Sequence, residues 1–359
     1  MNHILAKFSA LAVIGASIVG CGSNGTSYSL LSTGQSFKQA KVNAKVDMLW
    51  VVDNSGSMLP LQTNMTNNFN SFIGQFVTKG YDFHLAVTSS EAYRAGSTFQ
   101  NDPTLSKFSD GVSTHTGVFD IVPGTSNIIN TFVTNASLGA NGSGDERVFS
   151  SFRSSLDNQL NDGFLRQDSF LAVIILSDED DFSSASRPEY SWTLRNGVAD
   201  HSYSYSGLDT VDSYVSYLDT KTNSTGAFRR YSVSAITVDT SACLTQYRQS
   251  SPGAIMGTRY LDLVGKTDGV VGSVCDVSYA GALDKIQSRI LELSTQFYLT
   301  ATPVVSSIRV LVNNVLVPQD NTNGWSYNTD ANSVVFHGSA IPLAGADINV
   351  QFDPAKLTF

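Results

Sequence analysis

Asp53, Ser55 and Ser57 stand at alternate positions directly after an apolar run, in the stretch "LWVVDNSGSM". A second acid, Asp178, follows another apolar run, "FLAVIIL" at 170–176, and opens the sequence Asp178, Glu179, Asp180, Asp181. In an open parallel sheet, ligands gather beyond the carboxyl ends of the strands. If the two runs are neighbouring strands, both carboxylates arrive at one edge with the two hydroxyls between them. Carboxylates, hydroxyls and water make a hard oxygen site, suited to Mg²⁺, Mn²⁺ or Ca²⁺ rather than zinc or copper. A divalent cation would also remove the cost of burying acids together. An Asp and a Ser after a strand suit a helix N-cap as well, but a cap leaves Asp178 unexplained.

Apolar spacing outlines the elements that must position these residues. "VDMLWVV" (46–52), "YDFHLAVTSS" (81–90), 170–176 and "RYSVSAITV" (230–238) read as strands, the most continuous of them buried on both faces. Between them, Met65, Phe69, Phe72, Ile73, Phe76 and Val77 give residues 59–78 a helical face, and 126–138 and 145–160 are helical again. Ala280, Leu283, Ile286, Ile290 and Leu293 mark a closing helix. Strands alternating with helices predict an α/β fold, a doubly wound and mostly parallel sheet flanked by helices over 45–297. Two insertions interrupt it, at 90–125 and 183–208. The second carries Tyr190, Trp192, His201, Tyr203 and Tyr205; it is expected beside the acidic edge, as an aromatic interface or as a cover over the domain. From 298 to 359 the apolar period becomes two, and Asn313-Asn314 inside "RVLVNNVLVPQ" is a hairpin signal. That small β-rich C-terminal unit has too little core to stand alone, so it should lean on the main domain.

The pattern Asp-x-Ser-x-Ser after the first strand, with Asp178 after a later one, resembles the metal-ion-dependent adhesion site of von Willebrand factor A-type domains, which integrins also carry. The resemblance covers residues 45 to about 297. It implies a Rossmann-like sheet and a third loop ligand, normally Thr. The loop here is "GANGSGDERVFSSF", and Ser143 is the matching hydroxyl, with Asp145 a competitor for the metal. By resemblance Ser55, Ser57 and Ser143 would approach the cation directly, and Asp53 and Asp178 directly or through water. One position would stay open for an acidic side chain of a protein ligand, and movement of the last helices would tune affinity. The run 178–181 is more acidic than ligation requires. It reads as a solvated acidic loop, or as extra charge favouring a second cation or Ca²⁺.

The chain begins "MNHILAKFSALAVIGASIVGCG", with Lys7 ahead of an apolar stretch too short to span a bilayer, as in a secretory signal over 1–20. Ile18, Val19, Gly20 and Cys21 resemble a bacterial lipobox, which implies acylation of Cys21 and a lipid-anchored protein of the cell envelope. Gly22 at the next position favours the outer membrane by the same resemblance. Residues 21–44 then read as the lipidated cysteine and a flexible tether, because 22–36 are rich in Gly, Ser, Thr and Asn. Loss of Lys7 with the signal takes the net charge of −9 to −10, which argues against a nucleic-acid partner. Cys243 and Cys275 then remain as an isolated pair, expected to form a disulfide that pins the loop leading into the helix at 279–295.

Enzyme signatures fail at particular positions. A haloacid-dehalogenase-like phosphotransferase needs a second Asp where Ser55 stands. "GKT" at 265–267 lacks the P-loop glycine, Tyr260 occupying its place. No GxSxG or HExxH occurs, and His84, His115, His201 and His337 are scattered. The expectation is a non-enzymatic lipoprotein that binds a protein ligand through a cation, or a structural subunit of an envelope complex with no external adhesion role.

Overall fold

The structure, a computed structural model, describes residues 45–185, 207–225 and 228–355, and the backbone of 35–39, 194–195 and 198–199. In chain order the elements are β1 (Gln35–Gln39), β2 (Lys45–Val52), α1 (Leu59–Thr78), β3 (Asp82–Ser89), α2 (Ile128–Ala136), α3 (Val148–Leu156), β4 (Phe170–Leu176), β5 (Leu194–Arg195), β6 (Val198–Ala199), α4 (Val211–Lys221), β7 (Tyr231–Thr237), α5 (Ser241–Tyr247), α6 (Thr258–Lys266), β8 (Val271–Ser273), α7 (Ala280–Ser294), β9 (Phe297–Tyr298), β10 (Arg309–Val312), β11 (Val315–Val317), β12 (Trp325–Asn328), β13 (Ser333–Phe336) and β14 (Ile348–Phe352).

Five strands form the central parallel sheet in the order β3-β2-β4-β7-β8. Successive side chains of a strand point to opposite faces, and β2 divides accordingly. Met48, Trp50 and Val52 pack in the layer formed with α1, α2 and α7. Leu49 and Val51 pack in the layer of α3, α4 and α6. Covering both faces explains why β4 and β7 are buried along their whole length and why β4 reads as an unbroken apolar run. Helix α1 starts with a proline in its first turn, where the missing N–H costs nothing. Its buried stripe of Leu61, Met65, Phe69, Phe72, Ile73 and Phe76 follows the helical period. Burying each such side chain contributes about 1.5–3 kcal/mol. The insertion at 90–125 wraps the β3 edge through short 3₁₀ turns at Ala92–Ala95 and Pro103–Ser106 and a bridge between Leu85 and Ile121.

The β-rich unit contains a four-stranded antiparallel sheet, β1-β14-β10-β11, and a three-stranded one, β12-β13-β9. The β10–β11 hairpin turns at Asn313 and Asn314, both left-handed (φ 50° and 66°), as the tight hairpin turns matched to strand twist require. Val310, Trp325, Val334, Phe336, Ile348 and Val350 join the same apolar layer as α1 and α7. Lys79 Nζ and Tyr81 Oη donate to the carbonyls of Ile341 (3.0 Å) and Pro342 (3.2 Å). The unit therefore shares its core with the main domain.

Strand β1 changes the expected tether. Gln35 to Gln39 pair residue by residue with Phe352 back to Ile348, so the segment 21–44 contains part of the C-terminal sheet. "QSFKQ" carries one large apolar residue, and its strand character is set by the β14 ladder rather than by its own pattern. The signal at 1–20 and Cys21 lie outside the described residues, as do Tyr190, Trp192, His201, Tyr203 and Tyr205 of the 183–208 insertion. Among the described residues no helix is long and apolar enough to cross a membrane.

Candidate functional site

The site forms where the β2–β4 ladder runs out. The Asp53 N–H donates to Leu176 O (2.9 Å), one step past the last paired residue, and the chain then turns. Asp53 Oδ1 accepts from the Ser55 N–H (2.8 Å), and the Met58 N–H donates to Ser55 O (3.2 Å) to lead into α1. Gln62 clamps the turn from the first helical turns, donating to Asp53 O and Gly139 O, both at 2.8 Å. From the neighbouring strand, Ser177 Oγ donates to Asp53 Oδ2 (2.7 Å). Ser57 Oγ donates to Asp178 Oδ1 (3.0 Å), and Ser251 Oγ to Asp178 Oδ2 (3.1 Å).

Asp53, Ser55, Ser57 and Asp178 are thus brought together at the carboxyl edge of adjacent strands. The loop bearing Ser143 docks on the same turn: the Gly142 N–H donates to Asn54 O (2.8 Å). A Cβ on Gly142 would lie 2.6 Å from Asn54 Oδ1, so the close approach requires glycine. The Ser143 N–H donates to Glu91 Oε1 (3.1 Å), and Ser143 Oγ accepts from the Asp145 N–H (3.4 Å).

The acids of this edge are buried. Asp53, Glu146, Asp178 and Asp181 are 0 % exposed, Asp180 1 % and Glu179 5 %, which overturns the solvated-loop expectation for 179–181. Burial, then the nearby Asp178 carboxylate, pushes Asp53 up to about 7. Burial raises Asp178 against the pull of hydrogen bonds from Ser57 and Ser251. Glu146 and Glu179 rise well above the usual range, through burial and then the charge of Asp53, with Glu179 acting on Glu146 and Asp178 on Glu179.

The rest of the acidic run is structural. Asp180 accepts from the Arg259 N–H at 2.9 Å, and burial raises it to about 7. Asp181 is ion-paired with Arg259 (3.1 Å) and accepts from the Phe149 N–H (2.9 Å), capping the start of α3 from across space. Asp145, expected to compete for the metal, is held by Arg147 at 2.8 Å.

Glu146 is the acid that sequence reasoning missed. Its backbone O accepts from the Phe182 N–H (2.7 Å), which ties it to the loop after β4. Neither carboxylate oxygen has a hydrogen-bond partner, and neither does Ser55 Oγ. No Lys, Arg or His among the described residues forms an ion pair with Asp53, Glu146 or Asp178. The available signal was "DER": Arg147 neutralises one of two adjacent acids and leaves the other.

Among the described residues no group of three or more His, Cys, Asp or Glu side chains is arranged to hold a metal ion. Any cation here would depend on the serine hydroxyls as well as the acids. The Cys243–Cys275 disulfide is formed, with Cα atoms 5.7 Å apart and a separation of 32 in sequence. It joins α5 to the turn before α7, and the segment just after α5 supplies Ser251 to Asp178.

No family model matches the chain, and no curated protein does. Among solved structures it is similar to the pilus adhesin SpaC from Lactobacillus rhamnosus GG in its open conformation, at 14 % identity and a TM-score of 0.39, over 86 % of this chain and 38 % of that one. A second form of the same adhesin gives 14 % identity and a TM-score of 0.36, over 86 % and 39 %. The chain spans less than two-fifths of that adhesin's length, and so loose a superposition carries nothing about what this chain binds. The α/β assignment rests on the strand order and the helices on both faces described above.

Proposed function

We propose that this is a von Willebrand factor A-type protein that binds a protein ligand through a divalent cation held by Asp53, Ser55, Ser57 and Asp178, with Ser143 at the margin. One observation carries the reading: two buried carboxylates converge at the end of adjacent strands with no ion pair, beside a buried serine hydroxyl that has no partner. Uncompensated buried acids are costly, and a hard cation relieves that cost. The donor set fits Mg²⁺, Mn²⁺ or Ca²⁺ and not a thiophilic metal. When bound, the cation supplies a positive centre that an acidic side chain of the ligand would recognise. This chain's residues orient that centre, and we assign none of them a catalytic role. Acylation at Cys21 would place the protein on the outer membrane of a bacterial envelope.

The depth of the acids favours a second reading, a standing structural subunit whose cation holds one fixed partner. Calorimetric titration of Mg²⁺, Mn²⁺ and Ca²⁺ into the chain and its Asp53→Ala variant tests the cation. Saturable binding lost in the variant supports the proposal, and no binding by either chain sinks it. Ligand release by chelator marks a reversible binder; co-purification that survives chelator marks a subunit.

A further inference from the structure

Three residues at the joint between α7 and the β-rich unit form a hydrogen-bonded relay remote from the cation edge. Ser326 Oγ lies 2.7 Å from His337 Nε2, and His337 Nδ1 lies 3.0 Å from Glu292 Oε1. Arg289 donates to the other carboxylate oxygen of Glu292 (3.3 Å). An ionised carboxylate only accepts, so His337 carries its proton on Nδ1 toward Glu292, and Nε2 is left to accept from the Ser326 hydroxyl. The backbone fixes each member. Glu292 is in the last turn of α7, Ser326 stands on β12 opposite Val335, and His337, directly after β13, donates its N–H to Gly324 O (2.9 Å). The side chains of His337 and Glu292 are 15 % and 18 % exposed and Ser326 is partly buried, so the relay is within reach of solvent.

We propose that these residues form a serine acyl-transfer site that hydrolyses small carboxylic esters, with Ser326 as nucleophile, His337 as general base and Glu292 positioning the imidazole. Such a constellation is defined by its geometry and not by chain order. Attack joins Ser326 Oγ to the ester carbonyl carbon while the hydroxyl proton passes to His337 Nε2. The bond from that carbon to the alcohol oxygen breaks, and the alcohol leaves with the proton. A water then attacks the acyl-serine and gives a proton to His337 Nε2; the bond to Oγ breaks, Ser326 recovers the proton, and the carboxylic acid departs. The bond from His337 to Gly324 sets the alternation of the β12–β13 ladder, which turns the Tyr327 N–H away from β13. That N–H, directly after the nucleophile, is a backbone donor for the oxyanion that attack creates. Val335 and Asn328, on the same sheet face as Ser326, line a cavity of about 210 Å³ together with Arg229, Arg289 and Asp268. Its charged walls suit a short polar acyl group and penalise a long alkyl chain. The cavity also reaches Phe170, the first residue of β4, so it lies at the opposite end of the sheet from Asp53 and Asp178, and the inference does not rest on the cation reading.

The test treats the full chain with a fluorophosphonate, locates the label by peptide mass spectrometry, and follows hydrolysis of p-nitrophenyl acetate and p-nitrophenyl decanoate in chelator. The expected result is a parent labelled at Ser326 that cleaves the acetate in preference to the decanoate, with labelling and hydrolysis lost in Ser326→Ala and His337→Gln. Glu292→Gln should lower kcat roughly a hundredfold at unchanged KM, a split that a merely structural role would not produce. Ser326→Ala removes one partly buried hydroxyl and should melt close to the parent, which separates lost chemistry from lost folding. A parent that takes no label at Ser326, or that hydrolyses the acetate no faster than Ser326→Ala, overturns the proposal. Preference for the decanoate overturns the assignment of the cavity to the acyl group.

Discussion

Asp53 and Asp178 are held by each other's serines. Ser177, the residue before Asp178, donates to Asp53 at 2.7 Å, and Ser57, from the Asp53 turn, donates to Asp178 at 3.0 Å. The crossed pair fastens the loops after β2 and β4 together, so one hydroxyl should matter to both acids. Ser177→Ala removes a donor to a buried carboxylate and is expected to cost about 1.5–3 kcal/mol, read as a lower urea midpoint at unchanged m-value.

The same acids set a pH dependence. Asp53 rises from 3.8 to about 7 in the folded chain, so the folded state binds the proton more tightly than the unfolded state does. The stabilisation is complete below the unfolded value and is lost as pH rises through the folded one. Asp178, Glu146 and Glu179 act with the same sign. In chelator the melting temperature should therefore fall between pH 5 and pH 7.5, and saturating Ca²⁺ should flatten or reverse that fall. A melting temperature that climbs with pH in chelator contradicts this account.

Arg259 is the counter-charge of the buried Asp181 and also donates to Asp209 O at 2.7 Å. Truncation by Arg259→Ala leaves an uncompensated buried carboxylate at the α3 start. It should destabilise by about 3–5 kcal/mol, and chemical denaturation beside Lys266→Ala, at an exposed ion pair, gives the contrast.

Breaking the disulfide should act twice. Cys243→Ser with Cys275→Ser frees a loop of 32 residues and is expected to lower stability by about 3–4 kcal/mol. It should also weaken cation binding, because the α5 segment positions Ser251 against Asp178. Unfolding and metal titration of the double variant measure the two effects separately.

The strand-end acids were legible because a buried parallel strand announces its end: the "LWVV" and "VIIL" runs stop where polar residues begin, with Asp53 directly after β2 and Asp178 one residue beyond the end of β4, after Ser177. Helix α1 was equally plain, its apolar period running from Leu61 to Phe76. Burial of 179–181 was not legible, since four consecutive acidic residues look solvated until Arg259 and the α3 amides are brought to them from distant positions. Glu146 was hidden for a related reason: which of two neighbouring acids Arg147 neutralises is decided by side-chain geometry. Strand β1 escaped because a partner nearly the whole chain away supplies its ladder.

That ladder has a mechanical meaning. β1 is the first strand in the described chain, and antiparallel hydrogen bonds along all five of its residues join it to β14. A force drawing on the chain from upstream of residue 35 meets this ladder before it reaches the central sheet. Peeling β1 away would spend that load at the periphery, with the β2 and β4 ends, and the acids they carry, still in register.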